Sequence, residues 1–219
     1  MSDTTWYGDA ILFDIDGTLI ESMSTIERHT IMWAERHGLD GESVLENWHG
    51  RRDIDVIAEY MPAHLVETEL AWMREISLTD VAGITALPGA LELVRSLRPD
   101  TWGLVTSGEK AVVTRRLEAA GFPLPRTLVS ADDVVNGKPH PEGFREAARL
   151  LGADPRSCIA FEDADSGIEA ALAAGMRTVM VGDSASRHED AWYVSSFKKV
   201  AAAPPTGGGT SAMYLNFAE

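Results

Sequence analysis

The chain has 219 residues, 45% of them hydrophobic and 24% charged, enough for one sizeable core and a smaller satellite domain. A net charge of −15 leaves no basic surface for nucleic acid or an anionic membrane, so an anionic ligand must be met by a local group of cations. No apolar run approaches the ~18 residues that cross a bilayer, and the opening MSDTTWYGD lacks the basic and apolar parts of a signal peptide. With a single cysteine, Cys158, expected as a packed core thiol, the chain reads as a cytoplasmic protein.

The first element is a short apolar run near Ala10 to Asp14, read as a buried strand, which runs into Asp14-Ile15-Asp16-Gly17-Thr18. Two carboxylates this close repel, and burying either costs several kcal/mol, roughly, unless a cation or a proton compensates it. Residues 22 to 85 show helical stripes and no convincing strand. Met23, Ile26, Thr30, Trp33 and Ala34 form one, ended by Gly38; Ile54, Ile57, Ala58 and Met61 form another, ended by Pro62; Val66, Leu70, Met73 and Ile76 form a third. An inserted helical domain is expected here, with Trp33, Trp48 and Trp72 as packing rather than a binding box.

From about residue 86 short apolar runs alternate with helices. Strands are predicted at Trp102 to Thr106, Thr127 to Ser130, Cys158 to Glu162 and Arg177 to Val181. Helices are predicted over Pro88 to Arg98, Glu109 to Ala120, Pro141 to Leu151 and Asp165 to Ala174, the last three stopping at Gly121, Gly152 and Gly175. Buried strands alternating with helices imply a parallel sheet covered on both faces. After Val200 the run AAAPPTGGGTSAMYLNFAE predicts a flexible tail over 201–219. Its glycines follow no strand and open no helix, so they are not a phosphate loop.

Ligands of open parallel sheets bind beyond the carboxyl ends of the strands. The charged and hydroxyl residues fall there: Asp14 to Thr18, Thr106-Ser107-Gly108, Gly137-Lys138-Pro139 and Glu162-Asp163. Each stretch alone is an ordinary turn, helix cap or solvated lysine. Their joint placement at one rim is what points to a site.

As a set, FDIDGTL, LVTSG, GKPHPE and FEDADSG resemble the four motifs of the haloacid dehalogenase superfamily of phosphohydrolases, over most of residues 9 to 183. The resemblance implies a Rossmann-like, doubly wound α/β core over 1–21 and 86–200, with residues 22–85 similar to that superfamily's helical C1 cap. HGRRD, VTSG and VNGKPHPE look closest to the glycerol-phosphate and deoxyglucose-phosphate phosphatases. Carried over position by position, Asp14 is the expected nucleophile and Asp16 the general acid and base, with Thr106 and Lys138 completing the catalytic set. Magnesium is expected on Asp14, the Asp16 backbone carbonyl and Asp163, with Glu162 behind them. Ser107 and Gly108 are expected to meet the phosphate, Thr18 to orient Asp16, and Arg52 of the cap to bind the leaving group, with His49 structural.

The resemblance thus implies a magnesium-dependent phosphomonoesterase acting on a small phosphorylated metabolite, with a monomer as the simplest assembly. Glycerol, hexose, hexitol and deoxyhexose phosphates and phosphoglycolate all stay open as substrates. A β-phosphoglucomutase-like enzyme shares the motifs, but such mutases carry a histidine in the early cap where this chain has Ile26, and tend to lack the threonine present here as Thr18. A dehalogenase does not need Asp16. A non-catalytic phosphate- or protein-binding module is disfavoured, since no motif position is degraded.

Overall fold

The computed structural model describes residues 4–182, 188–203 and 213–217. The first part of the chain gives β1 (Thr4–Gly8), β2 (Ala10–Phe13) and β3 (Ile20–Glu21), then helices α1 (Met23–Arg36), α2 (Gly41–Trp48), α3 (Asp53–Tyr60) and α4 (Ala63–Thr79). There follow β4 (Thr85–Ala86), α5 (Ala90–Ser96), β5 (Trp102–Val105), α6 (Lys110–Ala119), β6 (Leu128–Val129) and α7 (Glu142–Leu151). The last elements are β7 (Cys158–Glu162), α8 (Asp165–Ala173), β8 (Arg177–Val181), β9 (Trp192–Val194), β10 (Val200–Ala203) and β11 (Met213–Phe217).

Six strands form one parallel sheet in the order β6-β5-β2-β7-β8-β9. Successive side chains of a strand point to opposite faces, so β2, apolar at every position, needs cover on both. Ile11 and Phe13 join a cluster with Leu93 and Val94 of α5 and Val113 and Leu117 of α6. Ala10 and Leu12 join a second cluster with Phe144, Ala147 and Ala148 of α7 and Ala170 and Ala171 of α8. This is the doubly wound Rossmann-like arrangement. Phe13 stacks on Phe161 at 5.1 Å and meets Phe197 at 6.0 Å, so truncating it to alanine is expected to cost about 3–5 kcal/mol. Cys158 is buried in β7, and burial pushes its thiol up to about 12.

The register sets the site. Phe13 lies level with Leu104 on one side and Phe161 on the other, so Asp14, Val105 and Glu162 come next at one rim. The chain leaves the core and returns to it through the antiparallel pair β3–β4. Between these strands α1 to α4 bury their own cluster, including Trp33, Trp48, Ile57, Leu70 and Met73. Trp33 and Trp48 meet edge to face at 5.2 Å, and the Trp33 indole donates to Glu69 at 3.1 Å. Helix α2, absent from the sequence reading, begins where the Asp40 side chain accepts from the Glu42 amide.

The end of the chain corrects an expectation. Residues 201–219 were read as a flexible tail, but β10 and β11 pair with β1 in an antiparallel sheet of order β1-β11-β10. Leu215 and Phe217 are buried, and Phe217 packs against Trp6 at 5.2 Å. The ordering contacts come from the other end of the sequence, which a local reading of Pro and Gly content does not weigh. Residues 204–212, which carry the GGG run, lie outside the described residues.

Candidate active site

Asp14 follows the last residue of β2 and is buried at 6% exposure. Lys138, from the loop before α7, places its ammonium 2.5 Å from Asp14 Oδ1 and 2.5 Å from Glu162 Oε1, and donates to the Val105 carbonyl at 3.1 Å. Carboxylate oxygens of Asp14, Glu162 and Asp163 all come within 4.8 Å of one another. Three acids thus surround one lysine. Burial pushes Asp14 up to about 8, against the pull of Lys138 and with Glu162 and Asp16 adding to the rise. Burial and the Asp14 charge push Asp163 up to about 7, and burial also raises Glu162. Lys138 keeps its proton above the ordinary lysine range: burial opposes this, but Asp14 and Glu162 outweigh it.

Raised carboxylates say that this group would be better matched by more positive charge. Its donors are hard oxygens, the set that suits magnesium or calcium rather than a thiophilic metal. The residues therefore fit a divalent cation, with Asp14, Glu162 and Asp163 as the carboxylates within reach of one point.

The turn after β2 is built around Gly17, which has φ of 86°, a region open to glycine. A β-carbon there would also collide with Asp163 Oδ2. Thr18 was expected to orient Asp16; instead its hydroxyl donates to Asp163 Oδ1 at 2.9 Å. The positive φ at Gly17 brings the turn against the β7 tip, where Asp163 waits as the acceptor. Asp16 is held by other residues: the Ser22 hydroxyl donates to Oδ1 at 2.6 Å, and an Arg116 guanidinium nitrogen lies 3.0 Å from Oδ2. Both Asp16 carboxylate oxygens are thus fixed by side chains, one by Ser22 and one by Arg116.

Beyond β5, Thr106 is buried at 6% exposure and its hydroxyl accepts from the Gly108 amide at 3.1 Å. The Ser107 hydroxyl is committed to the helical insertion, donating to the Gly50 carbonyl at 2.9 Å. Asp14, Asp16, Thr106, Ser107, Gly108, Lys138, Glu162 and Asp163 all line one cleft between the sheet rim and the insertion.

Arg52 does not line that cleft. It grips Asp55 with two bonds of 2.7 and 2.8 Å, donates to the Val134 carbonyl at 3.2 Å, and borders a smaller adjoining cavity. A carboxylate three residues on, in the first turn of α3, matches the guanidinium fork locally. The leaving-group role expected of Arg52 is therefore not supported by its position. His49, Arg51 and Asp53 do line the cleft, with Arg51 engaged by Asn47 and Glu59.

Arg116, Ser22 and Asp53 were missed by the sequence reading. Arg116 did leave a signal: it lies four residues after Val112 and three after Val113, on the buried stripe of α6. A charged residue on an apolar helix face needs a partner. Ser22 and Asp53 look like ordinary residues at helix starts and carry no such mark.

A family profile of haloacid dehalogenase-like hydrolases matches residues 9–175. Hexitol phosphatase A of Escherichia coli is 39% identical over 175 residues, covering 78% of this chain and 81% of that protein. Glycerol-1-phosphate phosphohydrolase 2 of Saccharomyces cerevisiae is 32% identical over 186 residues, covering 78% and 73%. Among solved structures, CbbY of Rhodobacter sphaeroides in complex with phosphate superposes with a TM-score of 0.75 at 26% identity, covering 87% of this chain and 95% of that one. With its parallel sheet, its four motifs at one rim and these relatives, the chain belongs to the haloacid dehalogenase-like hydrolase family.

Proposed function

We propose that this hydrolase is a magnesium-dependent phosphomonoesterase that cleaves a small sugar or polyol phosphate through an aspartyl-phosphate on Asp14. The observation that carries this reading is the buried contact of Lys138 with both Asp14 and Glu162, beside Asp163. The names of the relatives, a hexitol phosphatase and a glycerol-1-phosphate phosphohydrolase, support the substrate class.

In this mechanism an Asp14 oxygen attacks phosphorus and the bond to the leaving oxygen breaks. Asp16 gives that oxygen a proton, so the alcohol departs neutral. Asp16 then takes a proton from water as the water attacks the aspartyl-phosphate, releasing phosphate and restoring Asp14. Ser22 and Arg116 keep Asp16 in place for both transfers. Lys138 compensates charge at Asp14 and the phosphoryl oxygens; at 4 Å and an effective dielectric near 20 a unit pair is worth about 4 kcal/mol. The Thr106 hydroxyl, itself oriented by the Gly108 amide, donates to the same oxygens. Asp14, Asp163 and the Asp16 carbonyl, with Glu162 close by, would hold the magnesium ion, which supplies further positive charge for the phosphoryl group. Ile26 lines the cleft with a side chain that can carry no proton, which favours hydrolysis over phosphoryl return to a sugar.

The test is turnover of a panel of sugar and polyol phosphates with and without magnesium, for wild type and Asp14→Asn. Metal-dependent phosphate release, lost in a folded Asp14→Asn protein, is expected. Equal turnover by the variant rules the mechanism out.

A further inference from the structure

The cleft also holds two charged residues that the mechanism leaves partly unused. Asp53, in the first turn of α3, lines the cleft, and its only hydrogen bond among the described residues is from the Trp48 indole at 2.8 Å. It has no ion pair among the described residues, whereas three other charged side chains of the cleft do: Arg51 with Glu59, Glu109 with Arg74, and Arg116 with Asp16. Arg116 also lines the cleft, from the core helix α6, is 7% exposed, and has an Nε–H with no acceptor among the described residues. A buried donor without a partner is costly, and a carboxylate on a cleft wall is a strong acceptor for a hydroxyl. The nearby lining from Met23, Ile26 and Leu45 offers no side-chain hydrogen bonds, so these two residues are well placed to supply the polar recognition.

We propose that Asp53 and Arg116, one on the helical insertion and one on the core, bind hydroxyls of an uncharged polyol or sugar leaving group, and that Asp53 turns away leaving groups bearing a carboxylate. This rests on the phosphomonoesterase reading and narrows it. Asp53 accepts from a substrate hydroxyl, while Arg116 donates to a neighbouring one without releasing Asp16. A carboxylate in that position would face Asp53 and the already paired Glu109, and like charges in a confined cleft repel.

Three substrates separate the parts of the claim. A hexitol 6-phosphate has hydroxyls and no carboxylate, 2-phosphoglycolate has a carboxylate and no hydroxyl, and p-nitrophenyl phosphate has neither. In wild type with magnesium, kcat/KM for the hexitol phosphate should exceed that for phosphoglycolate by about tenfold or more. Asp53→Ala should lower hexitol phosphate kcat/KM by about 10- to 100-fold, the range for a hydrogen bond to a charged group, and change p-nitrophenyl phosphate by less than about threefold. Asp53→Asn keeps an acceptor for Trp48, guarding against a folding defect, and should shift preference toward phosphoglycolate by about tenfold. Unchanged substrate ratios in both variants, or a wild type that prefers phosphoglycolate, overturn the proposal while leaving the phosphatase standing. If wild type cleaves none of the three, the phosphatase reading itself falls and this proposal goes with it.

Discussion

The ammonium of Lys138 lies 2.5 Å from the Asp14 carboxylate, although the two residues are 124 positions apart. The parallel register of β2, β5 and β7 creates this meeting, because it ends three strands at one level. Lys138→Met should therefore act on stability and chemistry together. Leaving buried Asp14 and Glu162 without their cation should destabilise the protein by about 3–5 kcal/mol in urea unfolding. Loss of charge compensation at the phosphoryl group should lower kcat by at least about 100-fold. A fully active Lys138→Met protein would remove the lysine from the account.

Metal binding should depend on pH in a direction set by the acid cluster. Asp14 and Asp163 stand near 8 and 7 in the folded protein, both above the ordinary value of 3.8. Between about pH 4 and pH 8 the folded state thus holds protons that the unfolded chain has lost, and the stability from these two groups falls as pH rises through that window. A cation that displaces those protons binds better at the upper end. The rise in Tm caused by magnesium should be larger at pH 8 than at pH 5, and should shrink in Asp163→Asn. A magnesium-induced shift independent of pH would contradict this.

Gly17→Ala tests the turn. The new β-carbon would collide with the Asp163 carboxylate and hold an L residue at φ of 86°, costing about 1–2 kcal/mol for the backbone alone. Activity should fall by more than about 100-fold, since a small displacement of a catalytic group is enough for that. Wild-type kcat in this variant would mean that the turn and Asp163 are not coupled.

Arg116→Gln removes the guanidinium that holds Asp16 Oδ2 and should lower kcat by about tenfold or more, because Asp16 loses one of the two side chains that position it. Because Arg116 also faces the leaving group, KM for a polyol phosphate should rise as well. Unchanged kcat and KM would assign Arg116 a packing role alone.

The third sheet yields a purely structural prediction. Leu215→Ala should destabilise the protein by about 2–5 kcal/mol, as for other buried leucines. Denaturant unfolding reads this directly, and no change in midpoint would mean that β11 contributes nothing to the fold.

Five strands of the parallel sheet and its helices were legible because those strands are short apolar runs and α6, α7 and α8 close at a glycine, signals carried within a few residues; β9 was not read. The meeting of Asp14, Thr106 and Glu162 at one rim was legible for the same reason: each directly follows, or ends, such a run. What could not be read were pairings over distance. Strand β11 meets β1 across almost the whole chain, with Thr4 opposite Phe217. Thr18 bonds Asp163 rather than nearby Asp16, because a glycine turn decides where its hydroxyl goes. Arg52 was misplaced in the opposite sense, since a local partner, Asp55, captured a side chain expected to reach the cleft.

The claim on which the account depends is that Asp14 takes the phosphoryl group onto its own carboxylate. The most direct measurement is to quench wild-type enzyme during turnover of a polyol phosphate, reduce it with borohydride, and sequence the peptides by mass spectrometry. Homoserine at position 14, formed by reduction of the aspartyl-phosphate, is expected, with an unmodified peptide when substrate is omitted. Reduction at a different carboxylate under the same turnover would contradict it.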